Sequence, residues 1–269
     1  MGNKKQIKVA VIDMNNGQPN LGIGAILDIL SDYGKNKELE ISTAIFELRN
    51  KLEIPDQNHH IYISSGGPGS PADSEGEEWE KLFFDLLDNL KIHNNISEDK
   101  KNVFLICHSF QLFCRKYGFG TLTKRKSNSF GIFPIELTTM GEVDPLYAGL
   151  PNPFYAVDSR DWQVLNSKKE ALNADDAELL ALEKESPQVD LERCIMSIRF
   201  SNEFVGTQFH PEAHPAGVKA AIINQFEEEK QQDMIENLEN TDNIVLTHQT
   251  ILPNFLDEAI KPFTNDRTV

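Results

Sequence analysis

Residues Ile7 to Met14, IKVAVIDM, form a continuous β-rich apolar run. A strand of that kind has both faces to cover, which is the situation of a parallel sheet layered with helices. The next hundred residues keep to that arrangement. Asn15 to Asn20 is turn chemistry, Gly22 to Tyr33 has helical spacing, Glu40 to Phe46 reads as a second strand and His60 to Ser64 as a third. Glu77 to Ile92 sets Trp79, Leu82, Phe83, Leu86, Leu87 and Leu90 at three- and four-residue steps, an amphipathic helix. Asn102 to Ile106 is a fourth strand and Ser109 to Tyr117 a helix. Regular alternation of this kind predicts an α/β fold, a doubly wound, mostly parallel sheet flanked by helices.

From Thr121 to Phe209 the pattern changes to short β-like runs: Gly131 to Thr138, Pro153 to Val157, Trp162 to Leu165, Ala177 to Lys184, Cys194 to Phe200 and Glu203 to Phe209. They predict a small antiparallel β patch or extra sheet packed on the α/β core. Helix resumes over Pro215 to Phe226. Beyond it come seven acids, from Glu227 to Asp242, and one base, Lys230, with a thin apolar stripe of Met234, Ile235 and Leu238. Ile244 to Phe263 is again helical in spacing, with an interruption expected near Pro253. The domain expectation is a core over 1–226 and an acidic helical C-terminal extension over 227–269, docked on the core with its acids in solvent.

Composition narrows the partners. A net charge of −16 on 269 residues repels nucleic acid and anionic membrane alike. No apolar stretch approaches the roughly 20 residues that span a bilayer. The N-terminus lacks a signal-peptide core, and Gln6 stands where a myristoylation signal needs serine or threonine. Three cysteines with no C-x-x-C fit neither a disulfide framework nor a zinc site. The expectation is a cytoplasmic protein with free thiols.

Three segments carry chemistry. Cys107 closes the fourth strand just before a helix, whose free N–H groups and positive dipole end favour a thiolate. Taken alone, a cysteine there is also a small hydrophobe ending a buried strand. His210 and Glu212 stand two apart in F-H-P-E, so an extended backbone puts both side chains on one side, and a carboxylate can orient the imidazole. Taken alone, that motif is also a solvated turn. His214 lies four residues after His210, but Pro211 intervenes, Pro215 follows and no third ligand clusters with them, so no metal is expected. Ser64 to Pro71, SSGGPGSP, permits close backbone approach to a ligand and is not a phosphate loop, since no Gly-Lys-Ser/Thr follows.

Glycine–proline loop, C-x-x-x-Q and F-H-P-E, in that order, resemble the class I glutamine amidotransferase domain, above all the glutaminase part of GMP synthetase. The resemblance covers about residues 7–226. It implies Cys107 as nucleophile, His210 as base and later acid, and Glu212 as orienting carboxylate. Gly67 and His108 would supply the oxyanion-hole amides, and Gln111 and Ser159 would line the substrate pocket. It implies no cofactor. The substrate would be glutamine or a related γ-glutamyl compound, and a separate synthetase could accept the ammonia. No S-G-G-x-D-S-type loop occurs, and 269 residues leave no room for a pyrophosphatase domain, so a stand-alone glutaminase is expected.

The chain departs from the family pattern twice. The elbow G-x-C-x-G-x-Q has Leu105 and Ser109 in place of its glycines. Arg160 stands where a histidine beside the glutamine backbone is usual. A guanidinium there can clamp a substrate carboxylate, or it can pair with Asp158 or Asp161. Hydrolysis of another γ-glutamyl compound, and a non-catalytic binding protein that kept the fold, are the alternative functions.

Overall fold

A computed structural model describes residues 6–165, 177–185, 192–218 and 241–264. In chain order the elements are β1 Ile7–Asp13, α1 Leu21–Asn36, β2 Ile41–Glu47, α2 Leu48–Lys51, β3 Ile61–Ser64, α3 Glu78–Ile96, β4 Asn102–Ile106 and α4 His108–Tyr117. Then follow β5 Thr121–Leu137, α5 Thr139–Val143, β6 Phe154–Leu165, β7 Glu178–Glu183, β8 Ile195–Arg199, β9 Phe204–Thr207 and α6 Thr241–Thr264. They build one nine-stranded sheet in the order β2-β1-β3-β4-β9-β8-β7-β5-β6.

The apolar run of β1 explains the layering. Val9 and Val11 join a core that contains α1 and α6, while Ala10 and Ile12 join a second one that contains α3 and α4. In β4, Phe104 and Ile106 face the first core, Val103 and Leu105 the second, and none is more than 1% exposed. Each such side chain contributes roughly 1.5–3 kcal/mol.

Strands β2, β1, β3, β4 and β9 run parallel. Their C-terminal ends therefore share one edge, where α/β folds hold their sites. The β-rich second half continues the same sheet antiparallel from β9 through β8, β7 and β5 to β6. The expected patch is thus a lateral extension and not an added layer. Two runs expected as separate, Pro153 to Val157 and Trp162 to Leu165, are one strand, β6. The polar stretch between them alternates, with Asp158 and Arg160 buried and Ser159 and Asp161 exposed.

Helix α6 also departs from expectation: it runs unbroken through Pro253. A proline there costs about 3 kcal/mol. Ile251, Leu252, Phe255 and Leu256 on either side of it are at most 3% exposed, and at roughly 1.5–3 kcal/mol each their burial outweighs that cost. Tyr33 Oη donates to Asp257 at 2.6 Å and Asn254 Nδ2 to the Ala148 carbonyl at 3.0 Å, which ties α6 to α1 and to the turn before β6. The helix expected over Pro215 to Phe226 is described only over its first turn, 215–218, and the acidic run lies outside the described residues as far as 240.

Candidate active site

Cys107 caps the start of α4 with φ 49° and ψ −101°, a backbone that non-glycine residues rarely adopt. Such a conformation costs on the order of 1–3 kcal/mol and persists only where its surroundings impose it. Here the Cys107 amide donates to the Thr207 carbonyl of β9 at 2.8 Å, and its own carbonyl accepts from Gln111 N at 2.9 Å. The residue is 5% exposed.

The two elbow departures are accommodated by different means. Leu105 fits because its β9 neighbour is Gly206. A Cβ on Gly206 would lie 2.8 Å from the Leu105 carbonyl oxygen and 3.1 Å from Leu105 Cβ. Ser109 is fully buried, and its hydroxyl donates to the Ser65 carbonyl at 2.7 Å and meets Ser64 Oγ at 2.7 Å. It thereby joins the start of α4 to the glycine loop.

His210 leaves β9 and docks on β6, its amide donating to the Val157 carbonyl at 2.8 Å. Its Nδ1 lies 2.8 Å from Glu212 Oε1. Burial presses the imidazole to lose its proton, but the Glu212 carboxylate and the Cys107 sulfur together outweigh it and hold the His210 pKa well above its ordinary value. Glu212 is 2% exposed and its Oε2 has no hydrogen-bond partner among the described residues. A Cβ on Gly22, in the first turn of α1, would come within 3.1 Å of Glu212 Oε1, so the helix start packs on the carboxylate. From the other side His248 Nδ1 on α6 donates to the Glu212 carbonyl at 2.9 Å.

The glycine loop packs directly on this pair. A Cβ on Gly66 would sit 2.8 Å from His210 Cε1 and 3.4 Å from Cys107 Cβ, and one on Gly67 only 2.2 Å from the Met14 carbonyl oxygen. Neither position admits a side chain. His108, next to Cys107, stays neutral: burial, with Arg49 and Arg115 nearby, pushes its pKa down to about 3.

Ser159 is exposed, and its carbonyl lies 3.9 Å from Cys107 Sγ. Gln111 is 2% exposed, and its Nε2 donates to the Trp162 carbonyl at 2.9 Å and to Gln208 Oε1 at 3.2 Å, bracing β6 against β9 beside the elbow. Arg160 requires a correction. Its side chain is 1% exposed and its Nε lies 2.7 and 2.9 Å from the two Asp158 oxygens, while Nη2 faces Cys194 Sγ at 3.2 Å and Glu183 at 3.6 Å. The inward half of the β6 alternation points this guanidinium into the sheet. Arg160→Ala is therefore expected to lower stability by about 3–5 kcal/mol, since it strands Asp158. KM for the substrate should stay within about twofold. A large rise in KM at unchanged melting temperature would return Arg160 to the pocket.

Ser159, His210 and Glu212 border one end of a groove of about 1340 Å³ that continues between α1 and α6 past Leu21, His214 and His248. Among the described residues no group of three or more His, Cys, Asp or Glu is placed to hold a metal ion, and no helix is long and apolar enough to cross a membrane. Sequence reasoning missed Gly22 and Arg49. Arg49 reaches the glycine loop from α2, and nothing local in the sequence connects the two.

Residues 30–249 match the family model for glutamine amidotransferase class-I. No curated protein matches the chain. Among solved structures, a glutamine amidotransferase from Thermotoga maritima is similar with a TM-score of 0.66 at 16% identity, over 95% of this chain and 98% of that one. The glutaminase domain of CTPS from Trypanosoma brucei, solved with acivicin bound, is similar with a TM-score of 0.59 at 11% identity, over 95% and 94%. A glutamine amidotransferase from Methylobacillus flagellatus also has a TM-score of 0.59 at 11% identity, over 94% and 96%. At these identities the likeness is one of fold.

Proposed function

Because the chain belongs to the class I glutamine amidotransferase family, we propose that it hydrolyses the side-chain amide of glutamine through a thioester on Cys107. The observation that carries this is the His210 imidazole held between Glu212, at 2.8 Å, and the Cys107 sulfur, with its pKa raised by both.

The Cys107 thiolate attacks the amide carbon, and the amides of Gly67 and His108 receive the developing oxyanion. The imidazolium of His210 gives its proton to the amide nitrogen as the carbon–nitrogen bond breaks and ammonia leaves. Neutral His210 then takes a proton from water, which attacks the thioester and releases glutamate, restoring the thiolate and the imidazolium. Glu212 keeps the Nδ1 proton and ring orientation fixed throughout. Gln111 and Ser159 border the substrate on the β6 side. No step calls for a cofactor. Ammonia would pass to a separate synthetase, in the cytoplasm, where the free thiols stay reduced.

The groove that starts at Ser159 and His210 favours a second substrate class, γ-glutamyl amides with leaving groups larger than ammonia. One experiment separates the two: glutamate release measured on glutamine and on a panel of N-substituted γ-glutamyl amides. Highest kcat/KM on glutamine supports the first proposal, and highest kcat/KM on a substituted amide replaces it with the second. No release from any of them leaves a fold kept for binding.

A further inference from the structure

An oxyanion hole works only if its donors are held where the charge will develop, because backbone amides that must first be ordered forfeit their advantage. Gly66 and Gly67 are the residues least able to hold themselves, since they have no side chains. The structure holds them from both flanks. On the C-terminal flank, Arg49 Nη1 donates to the Pro68 carbonyl at 2.6 Å and to the Met14 carbonyl at 3.1 Å. That Met14 oxygen is the atom against which Gly67 packs so closely that a Cβ would lie 2.2 Å away. One guanidinium nitrogen thus bridges the end of β1 and the loop, with Gly67 seated between them. On the N-terminal flank, the Ser109 hydroxyl donates to the Ser65 carbonyl at 2.7 Å, immediately before Gly66.

Arg49 also reaches the other half of the hole. Its guanidinium carbon lies 4.8 Å from the Trp79 ring centre, and Trp79 in turn lies 6.3 Å, centroid to centroid, from the His108 ring. The contact series Pro68–Arg49–Trp79–His108 therefore runs from one oxyanion donor segment to the other. A lysine ammonium carries donors enough for both carbonyls but could not stack its head group as a planar fork does.

We propose that Arg49 is a positioning residue that presets the oxyanion hole, with Ser109 as its counterpart on the opposite flank of the loop. This rests on the glutaminase function proposed above, and the test separates the two. In the full-length protein, Arg49→Ala is expected to lower kcat for glutamine about tenfold to a hundredfold, the usual cost of displacing a reacting group by an ångström or less. KM should move by less than about threefold. Alkylation of Cys107 by iodoacetamide, a displacement that builds no oxyanion, should keep its rate within about twofold. Hydrogen exchange of the peptide spanning 64–71 should quicken. Arg49→Lys should recover part of kcat, and Ser109→Ala should show the same signature with a smaller loss.

Unchanged kcat in Arg49→Ala would overturn the proposal. So would an equal loss of iodoacetamide reactivity, which would place the effect on the thiol and not on the hole. If Arg49→Ala does not fold, Arg49→Lys and Ser109→Ala carry the test with the same readouts. If the unsubstituted protein releases no glutamate, it is the function that fails. The exchange rates of 64–71 then still decide whether Arg49 holds the loop.

Discussion

Cys107→Ser should abolish the glutamate release proposed for this protein, a loss expected to reach about 10⁴-fold or more, as when a nucleophile is removed from a unit that acts together. The hydroxyl nearly matches the thiol in size, so the elbow should survive, and the melting temperature should stay close to that of the parent. What disappears is the ionisable sulfur, which also helps to keep His210 protonated. Labelling by a glutamine-like electrophile should vanish with the activity. Cys114 and Cys194 should not substitute for it. Both are at most 1% exposed, and burial raises the Cys114 pKa well above its ordinary value and pushes that of Cys194 up to about 12. Mass spectrometry of the labelled parent protein is the check. An adduct on Cys114 or Cys194, with Cys107 untouched, would mean that the nucleophile has been misassigned.

Glu212→Gln should lower kcat by about 10³–10⁴-fold with little change in fold, because the amide can occupy the carboxylate's place but does not fix the imidazole tautomer. The pH profile carries the more specific expectation. In the parent, burial disfavours the charged imidazole, and Glu212 with Cys107 more than reverses this. Without the carboxylate charge burial is opposed by the sulfur alone, so the His210 pKa falls. In the proposed mechanism the imidazolium protonates the leaving nitrogen, so the alkaline limb of kcat should move to lower pH. The same shift has a stability consequence. A folded-state pKa raised above the unfolded value of about 6.5 contributes stability in full below that value, and the contribution is lost as pH rises through the folded-state pKa. Glu212→Gln should therefore lower the melting temperature more near pH 6 than at strongly alkaline pH. An alkaline limb that stays in place would mean that Glu212 does not govern His210.

The α/β layering was legible because its signals are local. The β1 run names a two-faced strand, and the spacing of Trp79, Phe83, Leu86 and Leu90 names a helix with one buried side. Strand polarity follows from the alternation, which brings the ends of β3 and β4 to the same edge. Two local signals misled. Pro253 reads as a break, yet the buried residues around it carry α6 through. Asp158 to Asp161 reads as a polar gap, yet its alternation pairs two charges inside the sheet and leaves the other two residues in solvent.

By itself the sequence determined which side chains could do chemistry: a cysteine at a strand-to-helix junction, a histidine with a carboxylate two residues on, and glycines where a backbone can approach a ligand. These depend on backbone geometry over a few residues, which residue type dictates directly. Only the tertiary structure decided how those parts are held. Leu105 is admissible because β9 rather than some other strand lies beside β4 and brings Gly206 against it. Arg160 is a structural cation because Asp158, Cys194 and Glu183 meet it inside the sheet. Arg49 faces the glycine loop because α2 follows β2 at the same sheet edge at which β3 ends. Each of these pairings joins segments whose approach is set by strand order and side-chain packing, and no local period or spacing encodes it.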